Sequence, residues 1–258
     1  MASDAELIAE FVAARTEHRA HTPPSERQGT PLGLAEAYRL QDLLRETLTG
    51  HGEKVVGWKA GFTNRAAQDA YGVREPVCAF LLGSSVLASG AEVPLARFTG
   101  LAVEAEVAFV MRRDLAGPGV SAATAAAAVE GAQPALELVD FRYTGKAVGT
   151  DVIAEGVFAK AVVLAGALTP IAGLDLALEG LVWEQGGRIM ATTTAAEVMG
   201  NPLNSLAWIA NHLGARGLSL KAGDLVMTGS VSALLRPKAG ETVRATFTRL
   251  GTVSARFV

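Results

Sequence analysis

The run LAVEAEVAFVM, residues 101–111, sets two glutamates, Glu104 and Glu106, inside an otherwise apolar stretch. In a strand alternate side chains share a face, so both carboxylates point the same way, followed on that face by Ala108 and Val110. Val103, Ala105, Val107 and Phe109 occupy the other face, and neither is patterned for water. One reading places the acids at a strand end within reach of solvent. The other keeps them buried, where neighbouring carboxylates repel and one must stay protonated unless a cation intervenes. A third acid, Glu137, in the middle of PALELV with Ala135 and Val139 on its side, favours the cation. Hard oxygen donors with no His or Cys nearby suit Mg2+ or Mn2+ and disfavour zinc.

The elements that must position these acids follow from periodicity. Residues 5–20 and 34–48 read as two helices, with Leu34, Ala37, Tyr38, Gln41, Leu44 and Leu48 at helical spacing, and HTPPSERQGTP between them reads as a loop. From about residue 55 short apolar runs punctuated by glycine, such as VVGWKAGFT, LLGSSVLASG and DLVMTGS, predict strands and turns. Two helices interrupt this β body: an alanine-rich one at roughly 121–131, and one that starts at Asn201 as N-cap with Pro202 in the first turn. The division expected is an N-terminal helical arm, residues 1–50, followed by one body, residues 51–258.

Composition narrows the function classes. Half of the 258 residues are hydrophobic, enough for a substantial core. A net charge of −3 without a basic block argues against nucleic acid as a partner. Asp4 and Glu6 stand where a signal peptide needs a basic start, so export is not expected. Pro170 and Asp175 interrupt the most lipid-like stretch, so no membrane association is expected either. Cys78 is the single cysteine, which rules out an internal disulfide, fits a cytoplasmic location and reads as a packing residue in PVCAFLL. His18 and His21, in the polar arm, read as a solvated pair rather than a metal site.

GWKAGFT at 57–63, then Gln68, Gly72 and Pro76, then VEAEVAFV, PALELVD, GNPLNSLAWIAN and KAGDLVMTGS follow one another in a familiar order. From about residue 34 onward the chain resembles the hydratase/decarboxylase family typified by 2-oxopent-4-enoate hydratase and 4-oxalocrotonate decarboxylase, within the fumarylacetoacetate hydrolase superfamily. The resemblance implies an α+β fold, a fumarylacetoacetate hydrolase-like mixed β-roll with flanking helices. It also implies Mg2+ or Mn2+ held by Glu104, Glu106 and Glu137, and a catalytic or substrate-contacting role for Lys59. It assigns the turn Thr228, Gly229 and Ser230 to the substrate carboxylate. On the residues alone, Lys59 is either a second positive charge, a proton shuttle if its pKa is lowered, or a surface lysine. The Gly-Ser turn either donates backbone N–H groups to an anion or is only a turn.

One segment departs from the family pattern. Where relatives carry D-S-R and later D-T-[IV]-A-D-N-A-S, this chain reads DFRYTGKAVGTDVIAEGVFAK. Asp140, Arg142, Asp151 and Ala154 are kept, while Phe141, Glu155, Gly156 and Phe158 replace polar residues. Arg142 is carried over as a substrate contact and Glu155 as a candidate general acid/base. Lys146 and Lys160 are further candidates for the pocket, weighed against a solvated surface position. The expected activity is metal-dependent addition of water to a 2-hydroxy-2,4-dienoate, giving a 4-hydroxy-2-oxo acid. The alternative is decarboxylation, tautomerisation or carbon–carbon hydrolysis of a related 2-oxo acid such as 4-oxalocrotonate. A third reading is a non-catalytic subunit that partners an active paralogue. The resemblance further suggests a homo-oligomer, with association to a related hydratase or decarboxylase.

Overall fold

The computed structural model describes residues 3–258. Ser3 caps the first helix, Asp4–Glu17: its hydroxyl accepts from the Glu6 N–H while the Glu6 carboxylate accepts from the Ser3 N–H. The second long helix spans Leu34–Gly50, and the segment between them, expected as a loop, contains a short helix at Pro24–Gln28. Pro24 occupies its first turn, where a missing N–H costs no hydrogen bond.

Two mixed sheets form the body. The larger has seven strands in the spatial order Val77–Leu82, Val55–Gly61, Leu225–Ser230, Leu101–Met111, Val129–Asp140, Ala159–Leu164 and Val86–Ala88. The smaller has five, in the order Ala91–Val93, Gly251–Phe257, Thr242–Phe247, Gly180–Gln185 and Arg188–Thr194. Apolar faces of both sheets meet in one core, where Trp183, Phe247 and Phe257 join Phe109, Leu136 and Leu138. Leu7, Phe11, Leu40 and Leu44 from the N-terminal helices belong to that same core. This architecture is the α+β mixed fold expected from the sequence.

The alanine-rich helix is shorter than its composition suggests. It spans Ala122–Ala126, because Val129 already starts the strand that runs to Asp140 and pairs along the whole length of Leu101–Met111. Strand pairing over eleven residues outweighs local alanine propensity. The helix Pro202–Ala215 begins as its Asn-Pro start predicts, with the Asn201 side chain accepting from the Leu203 N–H. Among the described residues no helix is long and apolar enough to cross a membrane.

Candidate active site

The two central strands of the larger sheet bring the three glutamates together. Leu101–Met111 and Val129–Asp140 are antiparallel neighbours in a register that sets Glu104 directly opposite Glu137, with Glu106 opposite Ala135. Carboxylate oxygens of Glu104, Glu106 and Glu137 lie within 4.8 Å of one another. Glu106 and Glu137 are fully buried and Glu104 partly so, which settles the sequence ambiguity in favour of an inward-facing cluster.

Lys59, on strand Val55–Gly61, is 2 % exposed and places its ammonium 2.6 Å from the Glu137 carboxylate and 3.2 Å from the Val157 carbonyl, to which it donates. It is therefore not a surface lysine. Burial by itself would lower its pKa, but Glu137, Glu104 and Glu106 outweigh burial and raise it. The surrounding carboxylates therefore favour its charged form.

The turn at the end of Leu225–Ser230 divides its labour differently from the expectation. A register shift between Met227 and Ser230 aims the Gly229 N–H at Glu106, whose Oε2 accepts it at 2.8 Å. Gly229 has φ +111°, and a Cβ there would sit 2.3 Å from Oγ1 of Thr63, so conformation and space both require glycine. The buried Thr228 hydroxyl donates to the Val107 carbonyl. Ser230 alone of the three lines the cavity; Gly229 holds Glu106, and Thr228 ties the turn to the neighbouring strand.

That cavity, about 160 Å³, is lined by the polar groups of Lys59, Glu104, Thr63, Asn64 and Ser230. The aromatic side chains of Phe62, Tyr71, Phe141 and Phe158 line it as well. Phe62 stacks on Tyr71 at 4.6 Å between centroids, and Phe141 meets Phe158 at 4.9 Å. Three lining residues, Phe62, Val157 and Phe158, hold positive φ of 53°, 54° and 56°. For a β-branched valine this is a costly conformation, on the order of 1–3 kcal/mol. The turn is held from both sides: Lys59 binds the Val157 carbonyl, while the Arg15 guanidinium donates to the carbonyls of Glu155 and Ala159. Tyr71, Asn64 and Phe62 were not singled out from the sequence. Their one local signal is that they follow GWKAG within a dozen residues.

Arg142 and Glu155 are not brought into this cavity. Both are fully buried and ion-paired to each other, with Asp140 3.4 Å from Arg142 and His21 3.6 Å from Glu155. Phe141 and Arg142 are adjacent, so Phe141 faces the cavity while Arg142 turns into the layer behind it. Burial would raise the Glu155 pKa, but Arg142, His21 and Arg15 outweigh it and lower it, which suits a structural anion. His21, expected to be solvated, is 4 % exposed and packs between Phe11 and Tyr143. Lys160 donates to the Arg15 carbonyl and does not line the cavity. Cys78 is buried packing, its thiol pushed up to about 12 by burial.

The cluster fits a hard divalent cation. Oε1 of Glu106 and Oε2 of Glu137 are buried without a hydrogen-bond partner, and all the donors are oxygens. Burial, then the neighbouring glutamates, push Glu104 up to about 7 and Glu106 well above its ordinary value. Unfolded glutamates release their protons near 4.5, whereas Glu104 in the folded chain keeps its proton to about 7. The folded state thus binds more protons across that window, and metal-free stability falls as pH rises through it. A cation must displace those protons. The rise in Tm on adding Mg2+ is therefore expected to be larger at pH 8 than at pH 5.5; equal shifts at the two pH values would contradict a cation at these carboxylates.

The chain is similar to known proteins over most of its length. The family model described as fumarylacetoacetate (FAA) hydrolase C-terminal matches residues 48–258. A 4-oxalocrotonate decarboxylase of Pseudomonas putida is 33% identical over 226 residues, covering 87% of this chain and 86% of that protein. A 2-keto-4-pentenoate hydratase of Burkholderia vietnamiensis is 33% identical over 259 residues, covering 99% of each. Among solved structures, the 4-oxalocrotonate decarboxylase from Pseudomonas putida G7 complexed with magnesium and adipate superposes with a TM-score of 0.94 at 28% identity, over 100% of this chain and 99% of that one.

Proposed function

The chain belongs to the fumarylacetoacetate hydrolase family and is an enzyme of its hydratase/decarboxylase group, and from that premise we propose that it is a divalent-metal-dependent hydratase. Its substrate on this reading is a 2-hydroxy-2,4-dienoate of the 2-oxopent-4-enoate type, and its product a 4-hydroxy-2-oxo acid. The observation that carries the proposal is the cluster of Glu104, Glu106 and Glu137 beside the buried ammonium of Lys59, with Glu104 and Lys59 lining a small cavity. The solved relative bound to magnesium and adipate adds support, as a protein of the same fold that holds a hard cation and a dicarboxylate.

Glu104, Glu106 and Glu137 would hold Mg2+ or Mn2+, which when bound supplies a Lewis acid for negative charge developing on the substrate's 2-oxygen. Lys59 adds a second positive charge, fixed in place by Glu137 and the Val157 carbonyl, so no reorganisation is needed as that charge grows. Gly229 orients Glu106 through its N–H, leaving Oε1 free to face the cluster. Ser230 and Asn64 offer a hydroxyl and an amide to the same cavity, and its aromatic side chains present apolar surface to the substrate. Residues 51–258 form the catalytic part, and the helical arm of residues 1–50 braces it. Assembly as a homo-oligomer in the cytoplasm, alone or with a related hydratase or decarboxylase, completes the proposal.

A second reading, decarboxylation of a 4-oxalocrotonate-type diacid, is favoured by the similarity to the P. putida decarboxylases. One experiment separates the two: magnesium-supplemented protein is given 2-hydroxypenta-2,4-dienoate or 4-oxalocrotonate, loss of chromophore is followed, and products are identified. The expected result is 4-hydroxy-2-oxopentanoate from the first substrate. Carbon dioxide from the second with no hydrated product from the first would replace the hydratase reading.

A further inference from the structure

Resting on the 2-oxo acid reading above, we propose that the cavity selects substrates with a single carboxylate and an uncharged, apolar tail, and that Phe141 and Phe158 are the residues that set this preference. The reacting end of the substrate belongs beside the carboxylate cluster and Lys59, since Glu104 and Lys59 both line the cavity. A tail that leaves the cluster meets a lining that is otherwise largely apolar, with the Phe141–Phe158 pair, Val139, Val152 and Leu234. At about 160 Å³ the cavity is well below the roughly 300–1,000 Å³ usual for small-molecule sites, so the tail is short.

A second carboxylate on that tail would find no partner. Among the described residues that line the cavity, Lys59 is the one cation, and Glu137 already holds it. Three cations near the wall along the chain or behind it are directed elsewhere. Arg142 is paired with Glu155 and Asp140, Arg15 donates to backbone carbonyls, and Lys160 donates to the Arg15 carbonyl. The adjoining depression, which shares Asn64 and Ser230 with the cavity, adds Glu197 and no cation. Arg236 lies with its guanidinium 4.9 Å from the Phe141 ring centroid and donates to the Leu101 carbonyl. Its side chain is exposed and does not line the cavity. An unpaired carboxylate desolvated against aromatic rings is strongly disfavoured, whereas a methyl group there gains from burial.

The test compares two acids of equal length that differ only at carbon six, 2-oxohexanoate and 2-oxoadipate, by calorimetric titration into the magnesium-supplemented protein. The monoacid is expected to bind at least about tenfold more tightly, equivalent to about 1.4 kcal/mol. Phe141→Ser and Phe158→Ser are each expected to shrink that ratio to under about threefold. Phe158 sits in the left-handed turn, so Phe141→Ser serves as the independent variant if Phe158→Ser fails to fold. Equal or tighter binding of 2-oxoadipate to the wild type would overturn this inference, leave the 2-oxo acid reading standing and favour its diacid alternative. Loss of that tight binding in Arg236→Gln would identify the rim guanidinium as the partner of the second carboxylate. An unchanged ratio in a folded Phe141→Ser variant would remove these residues from the role. If neither acid binds to protein that does bind magnesium, the 2-oxo acid reading itself fails and this inference falls with it.

Discussion

Glu106→Gln is expected to abolish magnesium-dependent turnover, lowering kcat/KM by at least about a thousandfold, or about 4 kcal/mol of transition-state stabilisation. Glutamine has nearly the same shape, and its carbonyl oxygen can still accept the Gly229 N–H that fixes Oε2 at 2.8 Å. The atom facing the cluster then becomes an NH2 group, a donor where a cation needs an acceptor. The same change removes one of the mutually repelling buried acids. The metal-free variant should therefore be at least as stable as the wild type at pH 8 while losing its magnesium-induced rise in Tm. Opposite signs for metal-free stability and metal response distinguish a lost ligand from a damaged fold. A variant with an undiminished magnesium shift would exclude Glu106 as a ligand.

The second large effect falls on stability. Arg142→Met is expected to cost about 3–5 kcal/mol, because it leaves the fully buried Glu155 and Asp140 facing an apolar side chain. Asp140 keeps the N–H groups of Thr99 and Gly100, both at 2.8 Å, so most of the penalty falls on Glu155. Adding Glu155→Leu removes the orphaned charge, and the double variant should recover much of the loss in a denaturant titration. If the double variant folds, its turnover should stay within about tenfold of wild type, since neither side chain lines the cavity. A fall of several orders of magnitude in a well-folded double variant would return Glu155 to the catalytic machinery. The paired carboxylate also sets a pH dependence. The folded pKa of Glu155 lies below its unfolded value, so its contribution is present above about 4.5 and is lost as pH falls below it.

The network explains how the N-terminal helices bear on the site. His21 donates its backbone N–H to the Arg142 carbonyl, and Ser25 binds the Asp151 carboxylate through both its N–H and its hydroxyl. Arg15 brackets the turn that carries Val157 and Phe158. Segments more than a hundred residues apart thereby hold the aromatic wall in place.

Local pattern was enough for much of this molecule. Two-residue alternation set Glu104 and Glu106 on one face, an apolar context around Glu137 marked it as buried, and Asn201-Pro202 announced a helix. Each is a relation among neighbours in the chain, fixed by strand pleat or by capping chemistry. The motif order from GWKAGFT to VMTGS was likewise legible, and with it the family. What only the tertiary structure decided was which buried charge meets which partner. Glu104 faces Glu137 because of strand register, Lys59 reaches Glu137 across the sheet, and Gly229 spends its N–H on Glu106 because of a shift in pairing. Glu155 and Arg142 looked like site residues, and His21 looked solvated, because a charge in a sequence carries no mark of the layer it will face. Burial makes an unpaired charge costly, so these groups are driven to pair with one another, and the elements that pack together determine the partners.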